Sequence, residues 1–160
     1  MPKKTAKKSR GASASRGATV SAPKAVIDCL GRLFQAEMAG IIRYLHYSFM
    51  IVGHNRIPIQ AWFRAQATES SAHAVLLGEK ITALGGHPPL VSAHIPETHE
   101  HSVHAILEES LTFELETLEN YKQLVKLAED DIALEELARE FVRTETEHVE
   151  EVRKMLQRPV

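Results

Sequence analysis

The chain has 160 residues, is 44% hydrophobic and carries 19 Lys and Arg against 21 Asp and Glu, which is enough for one domain with a real core. No stretch approaches the roughly 20 apolar residues that a membrane span requires, and the N-terminus has no apolar signal centre, so a cytoplasmic protein without a membrane partner is expected. The single cysteine, Cys29, cannot form an internal disulfide and reads as a small buried side chain in a reducing compartment.

Residues 1–23 are rich in Lys, Ser, Ala and Gly and cannot bury enough surface to offset ordering, so a disordered basic tail is expected there, with the fold occupying 24–160. Seven Lys or Arg and no acid fall within residues 1–24, leaving 12 basic residues against 21 acidic ones over the rest, about −9. A first helix is expected from about Lys24 to Val52, with Gly53-His54-Asn55 closing it. Pro58 then opens a second helix at a tolerated first-turn position, and Gly85-Gly86 ends it. His87-Pro88-Pro89 and the polar stretch to Thr98 form a long crossover. A third helix reaches about Leu127, Glu129-Asp130-Asp131 makes a short turn, and a fourth helix continues almost to Pro159. Strand signals are absent, so the expected fold is all-α: two antiparallel hairpins joined by one long connection.

The apolar stripes of these helices are interrupted by charge. The first runs Ile27, Leu30, Phe34, Glu37, Ile41, Tyr44; the third runs Leu107, Leu111, Glu114, Leu118, Tyr121. The fourth runs Ala138, Phe141, Glu145, His148, Val152, Met155, and the second, more weakly, Ile59, Trp62, Gln66, Glu69, His73, Leu76. A buried unpaired carboxylate costs several kcal/mol or takes up a proton, so one core glutamate on each of four helices calls for a shared cation. Carboxylates with a minority of imidazoles suit iron or manganese, whereas structural zinc usually collects thiolates. Glu145 and His148, three residues apart, lie on one helix face about one turn apart.

At Glu37-Met38-Ala39-Gly40-Ile41-Ile42-Arg43-Tyr44, His73-Ala74, Gly85-Gly86-His87-Pro88, Glu114-Leu115 and Arg143-Thr144-Glu145-Thr146-Glu147-His148, the chain resembles the bacterioferritin-type ferritins over about residues 25–157. That resemblance implies a ferritin-like antiparallel four-helix bundle with a di-iron site: Glu37 and His73 on one iron, Glu114 and His148 on the other, and Glu145 bridging. Tyr44 matches a tyrosine beside the family site, where it could hydrogen-bond a ligand or supply an electron; a buried aromatic with a satisfied hydroxyl is the alternative.

Three departures stand out. The family's second bridging glutamate falls on Ser70; Glu69, four residues before His73 and within about 40° of it, is the expected substitute. Ser71 stands where haem-binding relatives carry a methionine ligand, so no haem is expected. Only 12 residues follow His148, too few for the fifth helix of the twenty-four-subunit shells, and a homo-oligomer resembling the twelve-subunit mini-ferritins is preferred over a larger cage or a dimer. The implied function is ferroxidase activity: Fe(II) oxidised by dioxygen or hydrogen peroxide, with storage or detoxification in a shell. The alternatives are a non-storing di-iron oxidase or peroxidase, and a DNA-associated mini-ferritin whose residues 1–23 neutralise phosphates without reading sequence. His94, His99, His101 and His104 are either a metal-capturing cluster or a solvated loop.

Overall fold

The computed structural model describes residues 22–157, and the basic tail therefore lies outside the described residues except for its last two positions. Four helices are present: α1 (Lys24–Met50), α2 (Arg56–Ala83), α3 (Val103–Leu127) and α4 (Ile132–Leu156), with no strand among the described residues. None is long and apolar enough to cross a membrane. α1 stops two residues short of Val52, and α2 begins two residues before Pro58 because Asn55 and Arg56 already turn into the helix; the proline still lies in the first turn, where its missing N–H costs nothing.

Helix ends follow side-chain chemistry. Ser102 accepts the Ala105 N–H at 3.0 Å to cap α3, and Asp131 accepts the Leu134 N–H at 3.0 Å to cap α4, with Glu135 adding negative charge to the first turn. α2 ends where Gly85 takes φ +80°, which lets the Gly86 N–H reach the Ile81 carbonyl at 2.8 Å and stop the helix. The crossover then runs up the bundle, held to α1 by the Ala93 N–H on the Gln35 carbonyl at 2.8 Å and by Pro89 packed over Gly31.

α1 runs antiparallel to α3, since Cys29 meets the Asn120 carbonyl near one end and the Tyr47 hydroxyl reaches Glu109 at 2.8 Å near the other. α2 runs antiparallel to α4, with Trp62 Nε1 donating to Glu151 at 3.1 Å. This is the ferritin-like bundle: two hairpins and one long connection. Its core divides into two apolar clusters. Cys29, Leu30, Leu33, Leu77, Ile81, Leu124, Leu134 and Phe141 fill one end; Tyr47, Ile51, Phe63, Ile106, Leu107 and Val152 fill the other. Between them lies a layer of buried polar groups.

The stripes expected on α1, α3 and α4 are buried, with Ile27, Phe34, Ile41 and Leu111 half-buried at their edges and Met155 38% exposed. The α2 stripe requires correction by one residue. Gln66 and His73 are buried as expected, but so are Phe63, Ala67, Ser70, Ala74, Leu77 and Ile81, whereas Leu76 is 48% exposed and Glu69 sits at the edge. α2 has apolar side chains on both faces, so its periodicity is weak; the close approach to α1 decides its phase. That approach occurs at Gly40, where a Cβ would stand 2.8 Å from Ser70 Oγ. Gly40→Ala should therefore destabilise the fold by about 1–3 kcal/mol, and by less when combined with Ser70→Ala; urea denaturation of the singles and the double measures the coupling.

Candidate metal centre

Each helix supplies its polar residue to the same level of the bundle. Glu37, Glu114, Glu145, His73 and His148 are all at most 9% exposed. They form two groups of three with ligand-capable atoms within 4.8 Å of one another: Glu37, His73 and Glu145, and Glu114, Glu145 and His148. Glu145 belongs to both. Its Oε1 lies 3.4 Å from His73 Nδ1 and its Oε2 lies 3.5 Å from His148 Nδ1, so one carboxylate directs an oxygen to each half. His73 Nδ1 is also 3.3 Å from Glu37 Oε1. His148 Nδ1 is buried without a hydrogen-bond partner, 4.0 Å from Glu114 Oε2. A buried imidazole nitrogen left unsatisfied among carboxylates is what a cation site presents when described by its protein atoms alone.

Two tyrosines brace the outer glutamates. Tyr44 on α1 donates to Glu114 Oε1 on α3, and Tyr121 on α3 donates to Glu37 Oε1 on α1 at 2.5 Å. Each tyrosine stands seven residues after the glutamate of its own helix and reaches the glutamate of the other, so the pair crosses the bundle reciprocally. Tyr44 is where the sequence directed attention. Tyr121 was read only as a stripe residue, although its offset from Glu114 repeats that of Tyr44 from Glu37 and was the available signal.

Glu69 stands outside both triads. Its carboxylate lies on the other edge of the imidazoles, 3.1 Å from His148 Nε2 and 3.9 Å from His73 Nε2, with its side chain 37% exposed. Ser70 is buried against Gly40, and both Ser70 and Glu69 line the void of the centre. Ser71 is exposed. His94, His99, His101 and His104 are exposed as well and join no ligand group among the described residues; His99 and His104 pair with Glu97 and Glu108 at 3.7 and 3.5 Å.

The layer's electrostatics are those of anions removed from water. Burial raises Glu37, and with the neighbouring Glu145 charge it raises Glu114 well above the carboxylate range. Burial opposes a charge on His73, but contact with Glu145 and Glu37 outweighs it and lifts the imidazole to about 10. Burial likewise opposes a charge on His148, and Glu145 and Glu69 raise it. Glu145, resisted by its own burial, is brought down to about 2 by both imidazoles. Buried tyrosines beside these carboxylates are held protonated: Tyr44 and Tyr121 both lie well above their ordinary value. The void that remains among these groups is only about 10 Å³.

Comparison with known proteins agrees with this architecture. The ferritin-like domain family matches residues 27–159. A solved ferritin-like, diiron-carboxylate protein from Bacillus anthracis superimposes with a TM-score of 0.80 at 26% identity, over 84% of this chain and 96% of that one. The Desulfovibrio desulfuricans bacterioferritin (TM-score 0.76, 23% identity, 82% and 78% covered) and Dps from Thermosynechococcus elongatus (0.80, 20%, 89% and 97%) share the fold. No curated protein sequence matches. A four-helix bundle with a carboxylate and imidazole centre at mid-height defines the class, and the chain belongs to the ferritin-like domain family.

The proton balance of the metal-free centre sets a pH dependence. His73, at about 10 in the fold against 6.5 in an unfolded chain, contributes stability that is complete below pH 6.5 and is lost as pH rises towards 10. The raised Glu37 and Glu114 slope the same way from pH 4.5 upwards, while Glu145, held at about 2, contributes above 4.5 and loses this as pH falls towards 2. Urea midpoints of chelator-treated protein should fall between pH 6.5 and 10, and His73→Gln should flatten that fall; an unchanged slope in the variant would contradict the assignment.

Proposed function

We propose that the chain is a ferroxidase that takes Fe(II) as substrate at an intra-bundle dinuclear site, with Glu37 and His73 holding one iron, Glu114 and His148 the other, and Glu145 bridging. The observation that carries this reading is Glu145 directing one oxygen towards each imidazole. Two ferrous ions give one electron each, so dioxygen or hydrogen peroxide is reduced by a pair without release of radicals.

The residues supply the conditions. Metal binding displaces protons from the imidazoles, whose Nδ1 atoms face the triads, and protons and metal compete for the same lone pairs. Tyr44 bonds Glu114 Oε1 and leaves Oε2, the oxygen towards His148, for metal, while Tyr121 bonds Glu37 Oε1, the oxygen that also faces His73, and so fixes that carboxylate's plane. Glu69 acts from behind on His148: its carboxylate 3.1 Å from Nε2 selects the tautomer with a free Nδ1 lone pair and fixes the ring plane, while His73 Nε2, 3.9 Å away, feels it only as a nearby charge. Oxidised iron then leaves the site for storage or detoxification within a homo-oligomeric shell, preferably of twelve subunits, in the cytoplasm.

Anaerobic titration with Co(II), read by its visible absorption, should give two metals per wild-type chain; exposure of the Fe(II)-loaded protein to air should then give ferric absorption, with particle size followed in parallel. Glu145→Ala should lose tight binding of both ions, because it removes the one group common to the two triads. Glu69→Ala separates its two readings: a residue that orients imidazoles leaves two sites with affinity about 10- to 100-fold weaker, whereas a direct ligand leaves one.

A further inference from the structure

We infer that dioxygen reaches the dinuclear site from the α1–α3 side, through the cavity beneath the crossover, and that Phe113 and Thr117 form the partition it crosses. This deepens the iron-oxidation reading and rests on it. A cavity of about 370 Å³, open to solvent, lies between α1, α3 and crossover residues Ala93 to Thr98. Phe113 and Thr117 line both that cavity and the void of the metal centre. The two spaces therefore share a wall one side chain thick.

The size of the inner void makes an outer chamber necessary. About 10 Å³ is at the lower limit for a single water, so the centre has no room to hold an oxidant in waiting. The partition suits a small apolar molecule. The Thr117 hydroxyl is bonded to the Phe113 carbonyl of its own helix at 3.0 Å, and the Phe113 ring lies edge-on to Tyr44 with centroids 6.0 Å apart. Dioxygen crosses such a wall without surrendering strong hydration, whereas a hydrated ferrous ion would lose its water against an aromatic ring. Arg43, its guanidinium 4.8 Å from the Phe113 ring centroid, adds a fixed positive charge on the outer side.

The opposite face differs. Between α2 and α4, side chains close the interface: Trp62 Nε1 donates to Glu151 at 3.1 Å, the His73 and Phe141 rings stand 4.8 Å apart, and Glu69 reaches His148 Nε2 at 3.1 Å.

Thr112 is exposed, lines the outer cavity and does not line the metal void, so Thr112→Trp fills the chamber without touching the centre. Glu119→Trp, exposed on the same helix and outside the cavity, is the control. In stopped-flow mixing of Fe(II)-loaded full-length protein with dioxygen, Thr112→Trp should lower the second-order rate constant by about tenfold, with Co(II) stoichiometry unchanged and the control at the wild-type rate. In metal-free protein, dissolved dioxygen should broaden the Thr117 methyl resonance in wild type and not in Thr112→Trp. Equal oxygen dependence in the two tryptophan variants, or a Thr117 methyl unaffected by oxygen pressure, overturns the inference. A wild type that oxidises no iron defeats the ferroxidase reading instead, and the methyl measurement still decides the route.

Discussion

Five ionisable side chains buried at one level of a helical bundle are the constraint on which this structure turns. Anions removed from water must find protons, cations or metal, and the surrounding residues are arranged to supply them. In the metal-free protein the imidazoles of His73 and His148 are the counter-charges to Glu145, and the hydroxyls of Tyr44 and Tyr121 hold the outer glutamates. The apolar clusters above and below exclude water, which both raises the cost of the charges and strengthens each compensating contact.

The centre is nearly symmetric, and its asymmetry is informative. α1 and α3 contribute equivalent glutamate and tyrosine pairs that cross reciprocally between the helices. α4 contributes Glu145 and His148, but α2 contributes His73 with Ser70 where a second bridging carboxylate would complete the pattern. Ser70 is small and packs on Gly40, so the α1–α2 approach is close at this level. Glu69 carries the displaced negative charge around the edge of the helix to the far side of both rings.

The two faces of the bundle differ. Across α1–α3 the helices are tied by Tyr47 to Glu109 and covered by the crossover, leaving the wall of Phe113 and Thr117 with a chamber outside it. Across α2–α4 they are joined by Trp62 to Glu151, Glu69 to His148 and the contact of the His73 and Phe141 rings.

Much of this was legible in the sequence, because helical periodicity is local. Glu37, Glu114, Glu145 and His148 interrupt strong stripes, and a residue that breaks a strong stripe is fixed in direction by its apolar neighbours. The fold class followed from the same periods, with glycine and proline marking the ends. α2 was misphased because apolar residues lie on both its faces, and its orientation is decided by the contact of Ser70 with Gly40, a feature of the α1–α2 pair and not of either helix. Tyr121 was overlooked as a ligand brace for a related reason: its offset from Glu114 is local, but its partner Glu37 lies 84 residues away. By itself the sequence determined which residues face inward on three helices and which chemistry they share. Only the tertiary structure decided which edge of each imidazole meets which carboxylate and where a chamber lies against the centre, because those depend on distances between helices that no spacing along one chain encodes.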